Sequence, residues 1–173
     1  MISPPEPTEY QPYYGRYISL VTGPDLVETL QHQMAQSLPL LQGIGEEKSL
    51  LRYAPGKWSI KEILGHLIDA ERIFTYRALR FARNDQTPLA GFEQDPYVTS
   101  AHFDQRPWSG LVQEFEHVRR STIPFFGALT PEETLRSGTA SQHPITVRAL
   151  GYIIAGHELH HMAVLRALPV TNS

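Results

Sequence analysis

Apolar residues recur along this chain at the spacing of a helix face and almost never alternate, which restricts the fold to bundles of helices. Leu26, Val27, Leu30, Met34, Leu38 and Leu41 form the first stripe, opened by Thr22-Gly23-Pro24-Asp25 and stopped by Gly43 and Gly45. Pro39 is expected to kink or end that helix. The second stripe, Ile63, Leu64, Leu67, Ala70, Ile73, Phe74 and Ala78, begins at a capping box, Ser59-Ile60-Lys61-Glu62, and ends at Asn84-Asp85. Trp58 and Ile63 are placed to form a hydrophobic staple across that box. A third helix runs from about Pro107 to Leu129, with Leu111, Phe115, Val118 and Phe125 inward and Pro124 bending it. Thr130-Pro131-Glu132-Glu133 caps a short helix, Ser137 to Pro144 reads as a polar turn region, and a last long helix spans about Thr146 to Leu168.

The expected fold class is therefore all-α, a four-helix bundle in one domain, residues 1–173, with a long loop between helices two and three. That loop, Gln86 to Arg106, is rich in proline, glycine and aromatics, and connections of such length inside a compact domain are usually functional. Residues 1–16, with Pro4, Pro5, Pro7 and Pro12, read as an extended arm, followed by a short extended segment, Tyr17 to Val21.

With 173 residues and a net charge of −3, the chain can bury a core and has no basic field to attract nucleic acid. It contains no cysteine, which excludes disulfides, zinc–thiolate sites and a cysteine nucleophile. Any metal must be held by His, Asp or Glu, and any thiol must arrive with a substrate. No stretch approaches the ~18 apolar residues of a spanning helix, and the N-terminus has no apolar run of the signal-peptide kind. A cytoplasmic address with no membrane partner is the expectation.

The chemistry is concentrated in His157-Glu158-Leu159-His160-His161. On a helix His157 and His161 lie one turn apart on one face, the spacing at which two imidazoles share a metal ion. Catalytic sites usually supply three protein ligands and one open position. Met162 to Ser173 contain no His, Asp or Glu, so the third ligand must come from upstream. His66 is the best candidate, seven residues after Ser59, or about 10 Å along its helix. His161 and His157 lie about 10 and 16 Å before Leu168, so antiparallel packing brings the three to one level. The plain alternative is a packing role for an i,i+4 pair that arises by chance among eight histidines.

The pentapeptide also fits His-Glu-x-x-His, which makes Glu158 a candidate general base beside a metal-bound water, or else an ordinary helix acid. The protease reading lacks the downstream ligand and a strand to align a peptide. His160 points about 80° off the line of the other two, as an outer or interface residue. Asp69 could orient a ligand or lie exposed, and Arg77 could bind a substrate carboxylate or pair with an acid. His143 could line the entrance, while His32, His102 and His117 read as surface. Trp58, Phe92, Tyr97, Phe103 and Trp108 cluster in sequence near this end, as core anchors or as cleft walls.

Several segments together resemble the DinB-like superfamily, which includes the YfiT-type proteins. They are Trp58 to Leu67, Glu71-Arg72-Ile73-Phe74, Tyr76-Arg77-Ala78-Leu79, Pro88 to Asp95 and Ala155 to His161, and the resemblance covers residues 20 to 168. It implies a four-helix bundle of that family's connectivity, often a homodimer. It also implies a divalent metal, nickel or zinc, on the histidines matching His66, His157 and His161. Relatives of this kind include thiol S-transferases using low-molecular-weight thiols such as bacillithiol or mycothiol, and metal-dependent isomerases and hydrolases. The family's pattern is His-x-x-x-His, so the resemblance implies no base at Glu158.

The leading expectation is a metal-dependent enzyme, a thiol S-transferase or a hydrolase, in which the metal activates a thiol or a water for attack on a small-molecule electrophile. The rival is a non-catalytic, stress-associated metal- or small-ligand-binding bundle.

Overall fold

The computed structural model describes residues 1–168; the last part of the expected single domain, 169–173, lies outside the described residues. In chain order the elements are α1 (Gly15–Ile18), α2 (Leu26–Gln42), α3 (Ile60–Ala82), α4 (Gln94–Ala101), α5 (Trp108–Gly127), α6 (Pro131–Leu135), β1 (Ser137–Ala140), β2 (His143–Thr146) and α7 (Val147–Arg166). The long helices start where short polar side chains satisfy free backbone N–H groups. Asp25 accepts from the Glu28 N–H at 3.1 Å, Ser59 from Glu62 at 3.0 Å with the reciprocal Glu62 bond at 2.8 Å, and Thr146 from Ala149 at 3.2 Å. Helix α5 borrows its cap, Glu46 accepting from the Trp108 N–H at 2.7 Å.

Helix α3 packs between α5 and α7, and α2 closes the ring by packing on the same two. The sequential helices α2 and α3 therefore face each other across the diagonal. Helices α3 and α7 are antiparallel: His66 meets His161 and His157, and Phe74, two turns further along α3, meets His157.

The described core is two apolar halves. One gathers Leu26, Leu30, Phe74, Phe81, Phe126 and Ile153; the other Leu41, Ile60, Leu64, Phe115, Met162 and Leu165. Between them lies a polar layer to which every helix of the bundle contributes. Arg119 of α5 forks onto Glu71 of α3 (2.9 and 2.8 Å) and reaches Glu158 of α7 at 2.5 Å, and Ser37 of α2 donates to Glu158 at 2.5 Å.

Three expectations are corrected. The first 16 residues are not extended: Pro7–Glu9 and Pro12–Tyr14 form 3₁₀ turns, and Tyr17 and Ile18 lie in α1 rather than in an extended segment. The segment is tied down by the buried Ile2, whose carbonyl accepts from Tyr152 Oη at 3.0 Å, and by Glu9, which pairs with Arg148. Ser137 to Thr146 is a hairpin, turning at Ser141-Gln142 with φ of 52° and 68°. The Gln86–Arg106 connection is partly helical, and its α4 and the 3₁₀ turn Phe103–Gln105 are anchored by the buried Val98 and Phe103. Pro39 and Pro124 both sit in the last turns of their helices, where one missing N–H interrupts little of the ladder. No helix among the described residues is long and apolar enough to cross a membrane.

Candidate metal centre

Two glycines let the ligand helices come close to their neighbours. A Cβ on Gly65 would lie 2.4 Å from the Phe103 ring, and one on Gly156 would lie 2.1 Å from the Tyr17 carbonyl oxygen. Each immediately precedes a histidine. Phe103 thus docks beside His66, and α1 presses on α7 so that the Tyr17 ring stands edge-on to His157, centroids 5.1 Å apart.

His66 and His157 are buried and His161 is half-buried. Their Nε2 atoms converge: His66 to His157 is 3.0 Å and His161 to His157 is 3.1 Å. An imidazole nitrogen carries one hydrogen or one lone pair. His157 Nε2 can therefore complete a full hydrogen bond with one neighbour, not with both. One shared cation would use all three lone pairs. With an imidazole nitrogen about 2.0–2.1 Å from the ion, neighbouring nitrogens lie about 2.9–3.4 Å apart, depending on the coordination angle. The two separations from His157 fall in that interval, and the three ligand atoms lie within 4.8 Å of one another, so the donor set suits a divalent ion. Among the described residues no carboxylate joins these three within the same compass.

Burial sets the electrostatics. It pushes His66 down to about 4, against the opposing pull of Asp95, and His161 down to about 3, helped by His66. His157 is driven well below its ordinary value, first by burial and then by His161 and His66. All three are neutral at pH 7, as metal ligands must be.

Two hollows open beside the cluster. One, about 450 Å³, is bounded by Lys57, Trp58, Asp95, His160 and His161. The other, about 290 Å³, is bounded by Tyr13, Tyr14, Tyr17, Phe74, Phe92 and the faces of His66 and His157. Asp95 and Gln94, at the start of α4, border both. Trp58 covers His66, ring centroids 4.8 Å apart.

The structure brings His66, His157 and His161 together. It does not bring Glu158 to them. Glu158 is 1 % exposed, with one oxygen taken by Ser37 and the other by Arg119, so its carboxylate belongs to the polar layer of the core. Asp69 pairs with Arg72 at 4.0 Å and makes no contact with the histidines. His160 is exposed beside Tyr17 and His161, and His143 is exposed on β2, where Ser141 borders the hollow in its place. His32, His102 and His117 are exposed, as expected. Phe103 and Trp108 are core anchors, whereas Trp58 and Phe92 are cleft walls. The tyrosines of α1 and its approach, together with Asp95, escaped sequence reading as site residues. The run Tyr13-Tyr14-Gly15-Arg16-Tyr17 was the available signal, with Tyr13 and Tyr17 one turn apart.

A helical bundle that gathers three imidazoles around one point, beside two hollows, has the arrangement of bundles that can hold a metal ion on core histidines. Comparison with known families makes this particular: residues 29–165 match the DinB superfamily, and the chain belongs to it. Among solved structures it is similar to YfiT from Bacillus subtilis (14% identity, TM-score 0.71, covering 94% of this chain and 89% of that one). YfiT is described as a probable metal-dependent hydrolase with an unusual four-helix bundle topology. It is also similar to a mycothiol-dependent maleylpyruvate isomerase (8% identity, TM-score 0.66), covering 79% of this chain and 58% of that one. At these identities the likenesses establish the fold. No curated protein matches the sequence.

Proposed function

We propose that this protein is a metal-dependent enzyme, a low-molecular-weight-thiol S-transferase or a hydrolase, acting on a small-molecule electrophile at His66, His157 and His161. The observation that carries this reading is the convergence of three imidazole nitrogens, two on buried and one on a half-buried side chain, with no fourth protein ligand among the described residues, beside two clefts. A divalent ion held there, nickel or zinc, supplies a Lewis acid that makes a thiol or a water nucleophilic at neutral pH. The three histidines hold it, Trp58 and Tyr17 shield it from bulk water, and the segment leading into α4 walls both clefts. Glu158 has no part in proton transfer in this proposal; it is held in the core by Arg119 and Ser37. The description of YfiT as a hydrolase and the thiol dependence of the isomerase support the two branches equally. A homodimer in the cytoplasm, without nucleic-acid or membrane partners, completes the proposal.

The test is elemental analysis of untagged protein, followed by titration of the cobalt-substituted form with 2-mercaptoethanol. About one ion per chain is expected, lost equally in His66→Ala and His157→Ala, with a thiolate-to-metal absorption band growing on titration. A bound ion that takes up no thiol, and no water-derived ligand, has a closed site and favours the non-catalytic binding bundle.

A further inference from the structure

Arg77 on α3 is 3 % exposed, and among the described residues its hydrogen-bond partners are neutral. Its Nη2 donates to the Ala90 carbonyl at 2.8 Å and to Ser141 Oγ at 3.2 Å, and the Tyr14 hydroxyl accepts a further bond. These partners come from three segments: the approach to α1, the connection before α4 and the turn of the hairpin. Each segment supplies a wall of the 290 Å³ hollow beside His66 and His157, namely Tyr14, Phe92 and Ser141. Arg77 lies behind that wall and gathers it.

The direction of these bonds has a chemical consequence. A guanidinium has donors and no acceptor, so a hydroxyl bonded to it must accept. Tyr14 therefore keeps its own hydrogen, and no acceptor for that hydrogen is found among the described residues. A phenol hydrogen stays near its ring plane; with Arg77 on one side of the oxygen, it is directed to the other. Burial raises the Tyr14 phenol above its ordinary range, against the pull of Arg77, so the hydrogen is present at neutral pH. The other phenols of the hollow, Tyr13 and Tyr17, are engaged with Arg16 and with each other.

The rest of the lining narrows what Tyr14 can serve. Phe74 links it to the histidines: its ring lies 6.3 Å from that of Tyr14 and 6.4 Å from that of His157. A flat apolar body resting on Phe74 and Phe92 is thus within reach of both. The acidic groups of the hollow, Glu93 and Asp95, accept hydrogen bonds and repel a ligand of their own sign.

We propose that Tyr14, held in place by Arg77, donates a hydrogen bond to the substrate, and that this substrate is an uncharged compound with a carbonyl-type oxygen on an aromatic or apolar body. The proposal names the electrophile of the metal-dependent reading and rests on that reading for the reaction, but not for the binding. Tyr14 is the residue that touches the ligand, and Arg77 is a positioning residue.

The test is calorimetric titration of the zinc-loaded full chain with acetophenone, and with ethylbenzene, in which a methylene replaces the carbonyl. Tyr14→Phe is expected to weaken acetophenone about three- to tenfold, the scale of one hydrogen bond, and to leave ethylbenzene unchanged. The carbonyl carbon-13 resonance of bound acetophenone is expected downfield in wild type relative to Tyr14→Phe, a signature that a packing role does not produce. Equal weakening of both ligands overturns the proposal, as does a wild type that does not bind acetophenone at millimolar concentration. A downfield shift that survives in Tyr14→Phe puts the oxygen on zinc and also overturns it. Benzoate weakened by Tyr14→Phe as much as acetophenone overturns the uncharged assignment. Should Tyr14→Phe not fold, wild type labelled with carbon-13 at tyrosine Cζ decides. A Tyr14 shift with acetophenone and not ethylbenzene supports the proposal, and no difference overturns it. Thiol uptake by the cobalt form reports on the metal reading separately, so either can fail while the other stands.

Discussion

Burial keeps the three imidazoles in the form a cation requires, and the same burial makes the metal-free protein sensitive to acid. In the unfolded chain each histidine takes up a proton near pH 6.5, whereas His66 resists until about 4 and His161 until about 3. Between those limits the unfolded state binds more protons than the folded one, so stability falls as pH falls through that window. The expected result is a denaturation midpoint for metal-free protein that drops between about pH 6.5 and 4, with a shallower drop in His66→Ala. Equal slopes in the two proteins would contradict this. Zinc does not flatten the profile: a coordinated imidazole takes no proton until the ion leaves, so the zinc-loaded protein keeps the downward slope and carries it to lower pH.

At the scale of elements, Gly156 sets how closely α1 lies on α7. Glycine inside a helix costs about 1 kcal/mol relative to alanine, so propensity alone makes Gly156→Ala stabilising. The added methyl, however, would lie 2.1 Å from a backbone oxygen of Tyr17, which cannot rotate away. Overpacking of this kind costs about 1–3 kcal/mol, and the backbone location puts it at the upper end. Urea unfolding of Gly156→Ala is expected to show a lower midpoint, and an unchanged or higher one would show that α1 moves freely. The elements also show what was legible beforehand. Ser59 with Glu62, and Thr146, announce their helices because a cap acts within three residues of itself. His66, His157 and His161 were legible because helical rise converts sequence distance into height. The hairpin was hidden because Ser141 and Gln142 adopt positive φ without the glycine or asparagine that usually marks such a turn. The place of Glu158 was hidden because Arg119 is 39 residues away and nothing in the pentapeptide refers to it. The helical turns around Tyr13 and Tyr17 were masked by prolines that begin 3₁₀ turns as readily as they break helices.

For the whole molecule, the polar layer between the two apolar halves is the feature with the widest reach. Arg119→Met leaves Glu71 and Glu158 buried without a counter-charge, and a loss of about 3–5 kcal/mol is expected on chemical denaturation. A loss under about 1 kcal/mol would mean that water reaches the pair. Removing all the partners together is a different experiment, because four greasy stripes hold one another in many arrangements. A slip of one turn, about 5.4 Å, still sets leucine against leucine, and the ring can be assembled with other neighbours across its diagonals. Every such competitor leaves a guanidinium among hydrocarbons. The layer therefore acts mainly on the structures this chain does not adopt. With Ser37, Glu71, Arg119 and Glu158 all apolar, the protein is expected to remain helical and stable while its amide spectrum shows several coexisting species, and the three histidines no longer share one address.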